Sequence, residues 1–150
     1  MRRASAWRPI ILTRLTRRAP PSTLPAVTSA AKQHWDDARR GVLSILRCEA
    51  CGYRWFPPTA NCPTCLSHRL ATQPVSGRAR LWSWTVICRQ YFKDFPPPYV
   101  VALVELEEGQ MITTTIVQAH PETLRCDQPL VVVFETFADG TALPQFRPAQ

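Results

Sequence analysis

Nowhere in these 150 residues does an apolar run approach the ~20 residues that a helix needs to cross a bilayer, so a membrane-spanning protein is not expected. A secretory leader is also lacking: Ile10-Ile11-Leu12, behind Arg2-Arg3, is far too short for a signal core. No internal repeat exceeds a pair of short cysteine knuckles, which excludes an array architecture. No nucleophile is accompanied by a recognisable base. His34, His68 and His120 show no spacing suited to a catalytic metal site or triad, so an enzyme with its own active site is the least supported class. What remains, with 45% hydrophobic and 19% charged residues, reads as a soluble globular chain.

Acidic residues are missing altogether from residues 1–28, which hold six arginines and four prolines. The formal charge of +7 is therefore local. Nine basic side chains face only Asp36 and Asp37 in residues 1–40, whereas residues 41–150 are balanced, nine against nine. A nucleic-acid binder keeps its basic excess on the folded face that follows phosphates, and here the excess sits on a tail. Residues 1–28 are read as a disordered tail or an over-extended reading frame, in preference to an organellar targeting segment.

Four of the six cysteines fall in two C-x-x-C pairs, Cys48 and Cys51 in CEACG and Cys62 and Cys65 in CPTC, with ten residues between the pairs. Two turns that each present two thiolates close a tetrahedron around one metal ion. Structural zinc is the preferred occupant, and a rubredoxin-like iron site is the rival. A four-thiolate ion keeps no open position for substrate, so this centre is structural. The pair spacing, with Cys88 and Cys126 scattered as inert buried thiols, points to a reducing, cytoplasmic setting. The ribbon's roughly 28 residues are too few for a core of their own, and zinc at such sites is worth ~10–16 kcal/mol.

The rest of the chain reads as mostly β. Ser29 is placed as the cap of a helix over residues 30–40, with Ala31, Trp35 and Ala38 on one face. Residues 29–47 then form the helix and a lead-in strand, 48–75 the zinc ribbon, and 76–148 five strands. Glu108-Gly109 and Asp139-Gly140 supply hairpin turns, and a short helical turn is expected after His120. Five strands with a helical insert before the fourth suit an OB-fold barrel. The longest connection, 89–98, holds Tyr91, Phe92, Phe95 and three consecutive prolines, and is the expected interaction surface.

The order WDDARRG, LRCEACG, WFPP, CPTC, VSGRARLWSWTV, PPPYVVALVELEEG and LPQFRP resembles a family of acyl-CoA-associated zinc-ribbon plus OB-fold proteins, catalogued as domain of unknown function thirty-five. The resemblance covers residues 30–148, with Ala79 and Cys126 standing where the family usually has glycine. It implies a rubredoxin-like ribbon followed by an OB-fold barrel, acting as a non-catalytic accessory subunit. The implied partner is a thiolase-like enzyme, or a related aldolase, hydratase or acyltransferase, in lipid, steroid or polyketide-type metabolism. The implied assembly is a hetero-oligomer in which the barrel helps form a channel for a coenzyme A thioester.

Within that frame Arg78, Arg80, Arg89 and Lys93, with Arg69 nearby, are candidates for the phosphates of coenzyme A, because guanidinium and ammonium groups match them. An ordinary solvated strand edge is the competing reading. Trp82 and Trp84, placed on one face, are candidates for the acyl path, although barrel packing competes. Trp55, Phe56, Phe92, Phe95 and Tyr99 are the candidate partner interface. The alternative function is a nucleic-acid-binding ribbon and OB-fold protein that stacks bases on Trp82 and Trp84.

Overall fold

The computed structural model describes residues 27–149. The basic segment therefore lies outside the described residues except for Val27 and Thr28. Helix α1 (Lys32–Arg39) begins two residues later than expected. Its N-cap is Ala31, not Ser29, and Thr28 Oγ1 takes the Ala31 N–H at 3.3 Å. The buried stripe is correspondingly His34, Asp37 and Ala38, positions three and four apart on one face, and Trp35 is only half-buried.

Strand β1 (Ser44–Cys48) pairs antiparallel with β2 (Arg54–Trp55) on one side and β3 (Leu70–Pro74) on the other. Period-two alternation makes β1 the hinge pin between two cores. Leu43 and Ile45 join the barrel core, while Leu46 and Cys48 join Trp55 and Cys62 in the ribbon's own cluster.

The barrel is built from β4 (Arg78–Ile87), β5 (Tyr99–Leu106), β6 (Met111–Ile116), β7 (Pro129–Thr136) and β8 (Ala142–Pro148), closed in the order β4-β5-β6-β8-β7. A single 3-10 turn at Pro121–Thr123 stands between β6 and β7, started by proline and by His120 Nδ1, which accepts the Glu122 N–H at 3.4 Å. Val100, Ala102, Val104 and Leu106 point inward from β5 at alternate positions and meet Leu81, Leu130 and Phe146. The seam of closure is narrow. β6 and β8 run parallel and share one bridge, Ile116 to Phe146. Pro144, two residues upstream, has no N–H with which to continue the ladder.

Two expectations for β4 need correction. A bulge between Leu81 and Ser83 inserts an extra residue, so Trp82 and Trp84 do not share an environment. Trp82 is 56% exposed, whereas Trp84 packs against the barrel core. Cys88 and Cys126 are likewise exposed and not buried, because one follows the end of β4 and the other lies in the turn before β7.

The ribbon joins the barrel at Gly77, whose carbonyl accepts the Val132 N–H at 2.8 Å. Its φ is +72°, and a Cβ built there would lie 2.4 Å from Val132 Cγ1. Replacing Gly77 with alanine is expected to cost about 2–4 kcal/mol, left-handed strain and overpacking acting together. Chemical denaturation of the metal-loaded protein reads this directly, and an unchanged midpoint would refute the close approach.

Candidate metal centre and apolar groove

The two knuckles repeat one local geometry. Cys48 N–H donates to the Tyr53 carbonyl and Gly52 N–H to the Cys48 carbonyl, at 2.8 and 2.9 Å. Cys62 N–H donates to Ser67 and Leu66 N–H to Cys62 in the same way, both at 3.0 Å. The residue after each second cysteine takes a left-handed conformation, Gly52 at φ +76° and Leu66 at φ +59°. This turn aims both thiols of a pair to the same side.

The four Sγ atoms lie within 4.8 Å of one another, with Cys48 and Cys65 3.6 Å apart and Cys51 and Cys62 3.7 Å apart. A tetrahedron with zinc–sulfur bonds of about 2.3 Å has edges of about 3.8 Å, so the donor set fits zinc. Burial works against a charged Cys48, yet N–H groups of Cys51 and Ala50 and the neighbouring thiols bring it down to about 6. The Tyr53 N–H favours the Cys51 thiolate, but burial and the other three sulfurs push that thiol up to about 12. Four packed thiols cannot all ionise by themselves. A divalent cation removes that conflict, and the N–H groups already in place stabilise the thiolates it would bind.

The proposed interface residues separate into two groups. Trp55 is 7% exposed; it lies in the ribbon's core and donates from Nε1 to Thr59 Oγ1 at 3.0 Å, so it does not present an open surface. Phe56 packs against the barrel core and meets the His34 ring edge-on at 5.3 Å. Phe92, Phe95 and Tyr99 form a chain of rings with centroids 6.4 and 6.3 Å apart, and Phe92 is 50% exposed beside exposed Tyr91.

The basic candidates are partly committed. Arg78 Nε donates to the Glu107 carboxylate at 2.9 Å, and Arg80 stands directly across from Glu105 on β5. Arg89 lies 5.9 Å from the Tyr91 ring centroid, and Lys93 is exposed on the same loop. None of these side chains, nor Trp82 or Trp84, lines the apolar groove that opens at the barrel seam.

That groove has a volume of about 580 Å³ and runs between α1, the Phe56–Pro58 turn, β6 and β8, with Phe95 at its rim. Pro144 explains it: where β8 cannot pair with β6, the two strands part, and the helix and ribbon roof the gap. His34 is the feature that sequence reasoning missed. It is 4% exposed and lines the groove, and its Nδ1 lies 3.0 Å from the Ser44 carbonyl. Burial lowers its pKa, opposed by that carbonyl and by Asp37.

Comparison with known proteins agrees with this architecture. Residues 35–71 match the family described as the ChsH2 rubredoxin-like zinc ribbon domain, and residues 72–135 match the ChsH2 C-terminal OB-fold domain. A DUF35 domain-containing scaffold protein of Methanothermobacter thermautotrophicus is 38% identical over 59% of this chain and 68% of its own length. The chain belongs to the DUF35 family.

Other relatives carry the names of enzymes or of their subunits. A probable enoyl-CoA hydratase alpha subunit of Thermomonospora curvata is 34% identical over 83% of this chain, which spans only 39% of that protein. The benzoylsuccinyl-CoA thiolase subunit BbsA of Thauera aromatica is 30% identical over 69% of this chain and 71% of its own. A solved structure titled Ltp2-ChsH2(DUF35) aldolase superposes with a TM-score of 0.77 at 33% identity, covering 85% of this chain and all of that one. Among the described residues no helix is long and apolar enough to cross a membrane.

Proposed function

We propose that this DUF35 protein is a non-catalytic accessory subunit which binds a thiolase-like enzyme, or a related hydratase, aldolase or acyltransferase, and helps form its acyl-CoA channel. The observation that carries the reading is the pairing of a closed four-thiolate centre with relatives named as scaffold proteins and as subunits of acyl-CoA enzymes. A closed centre organises the chain and leaves the chemistry to the partner. The exposed rings of Tyr91 and Phe92, continued by Phe95 and Tyr99, supply the anchor for that partner, since clustered exposed aromatics are costly in a free chain. Arg89 and Lys93 on the same loop meet the coenzyme A phosphates, and structural zinc holds the ribbon together. The assembly is a cytoplasmic hetero-oligomer.

A nucleic-acid role is less well supported: Arg78, upstream of exposed Trp82 on β4, is paired with Glu107, and Arg80 stands across from Glu105, so the strand carries no basic excess of its own. Co-purification tests the reading. The full chain, tagged, is expected to retain a thiolase-, hydratase- or aldolase-like protein encoded beside it. Changing Tyr91 and Phe92 together to serine is expected to weaken retention at least tenfold while the barrel stays folded. Retention unaffected by the double change would remove the loop from the interface.

A further inference from the structure

The groove at the barrel seam is mostly apolar; threonines lie along β6, and His34 is its one buried titratable side chain. A backbone carbonyl can only accept, so the 3.0 Å contact between His34 Nδ1 and the Ser44 oxygen fixes the proton on Nδ1. Burial keeps the ring neutral, which leaves Nε2 as a bare acceptor. Among the described residues Nδ1 makes the ring's one hydrogen bond, to the Ser44 carbonyl, and the ring lines the groove, where Nε2 is open to a ligand's donor. The ring is held there by Trp35 at 5.4 Å and Phe56 at 5.3 Å, both edge-on. Phe146, Ile112, Thr114 and Pro58 are among the other residues that line it.

We infer that this groove is a small-molecule site for an elongated apolar ligand carrying one uncharged hydrogen-bond donor, a hydroxyl group on an aliphatic or alicyclic body, with His34 Nε2 as the acceptor that orients it. The volume of about 580 Å³ falls within the range of small-ligand pockets. A ligand that displaces water from Nε2 without supplying a donor leaves that acceptor unpaired, so one carrying a donor is preferred over one of equal shape that does not. A carboxylate is disfavoured twice, since it offers no proton to Nε2 and must lose its hydration among carbon atoms. The site is separate from the basic side chains considered for coenzyme A and shares only Phe95 with the exposed aromatic loop.

The test uses the full, zinc-loaded chain and three probes of similar length: 1-octanol, octyl methyl ether and octanoate. Binding is followed by the tryptophan fluorescence of the chain, to which Trp35 in the groove contributes, and by the imidazole nitrogen resonances of the protein. Octanol is expected to saturate, to shift the Nε2 resonance of His34, and to bind about tenfold more tightly than the ether, with octanoate weakest. Changing His34 to phenylalanine keeps the ring contacts and is expected to erase the preference for the alcohol over the ether. Equal binding of alcohol and ether by the native chain, or no saturable binding by either, overturns the inference without needing the variant. That failure would leave partner binding by the Tyr91–Tyr99 loop untouched, so the two readings are separable.

Discussion

Changing Cys48 or Cys62 to serine is expected to abolish metal binding and melt the ribbon outright. Both sulfurs are fully buried, and both belong to the cluster that contains Leu46 and Trp55. Among the described residues the cluster has these four buried members with Leu70 packed against it, too little apolar area to hold about 28 residues without the ion. Serine removes a thiolate and leaves a hydroxyl in its place. Cys51 and Cys65 are exposed, so serine there is expected to weaken the metal without the same loss of packing. Zinc release measured by a chromogenic chelator, together with the indole N–H resonance of Trp55, separates the two classes. Equal metal content and an intact Trp55 signal in the Cys48 variant would contradict the structural role.

The second large effect belongs to Phe146. It is 1% exposed, the largest of the fully buried side chains, and its backbone makes the one bridge that closes β6 onto β8. Phe146→Ala is expected to destabilise the barrel by about 3–5 kcal/mol, the lost transfer energy and the cavity acting together. Leucine at the same position is expected to cost less than about 2 kcal/mol, because it refills most of the volume. Phe92→Ala, on the exposed loop, is the control and is expected to change stability by no more than about 0.5 kcal/mol. Denaturant midpoints of the three metal-loaded variants read this order. A Phe146→Ala protein as stable as the parent would mean that the seam is closed by something other than this ring.

The parts of this architecture that were legible in the sequence are those governed by local chemistry. Two C-x-x-C turns place four sulfurs by spacing alone, and the structure brings them within 4.8 Å of one another. The Asp139-Gly140 turn was readable because Asp139 accepts from the Thr141 N–H and Gly140 takes a positive φ, fixing the register of Thr136 opposite Ala142. What escaped depends on contacts distant in sequence. The bulge that turns Trp82 outward is set by how β4 meets β5, and no residue type in LWSW announces it. Trp55 reads as an exposed aromatic until β1 is laid beside it. Bulky Trp35 draws the helical stripe to itself and hides His34 in the sequence. The stripe through Asp37 and Ala38, three and four residues on, was the signal that would have found it. The groove needed Pro144 to be seen as a missing donor on the side facing β6, which only the strand order supplies.

Reconstituted turnover weighs the central proposal most directly. The acyl-CoA enzyme that co-purifies with this chain is assayed alone, with saturating chain, and against the chain by itself. A gain of at least tenfold on adding the chain, with no thioester turnover by the chain alone, is the predicted outcome. An enzyme already at full rate without it, or a chain that turns over the thioester unaided, would contradict the account.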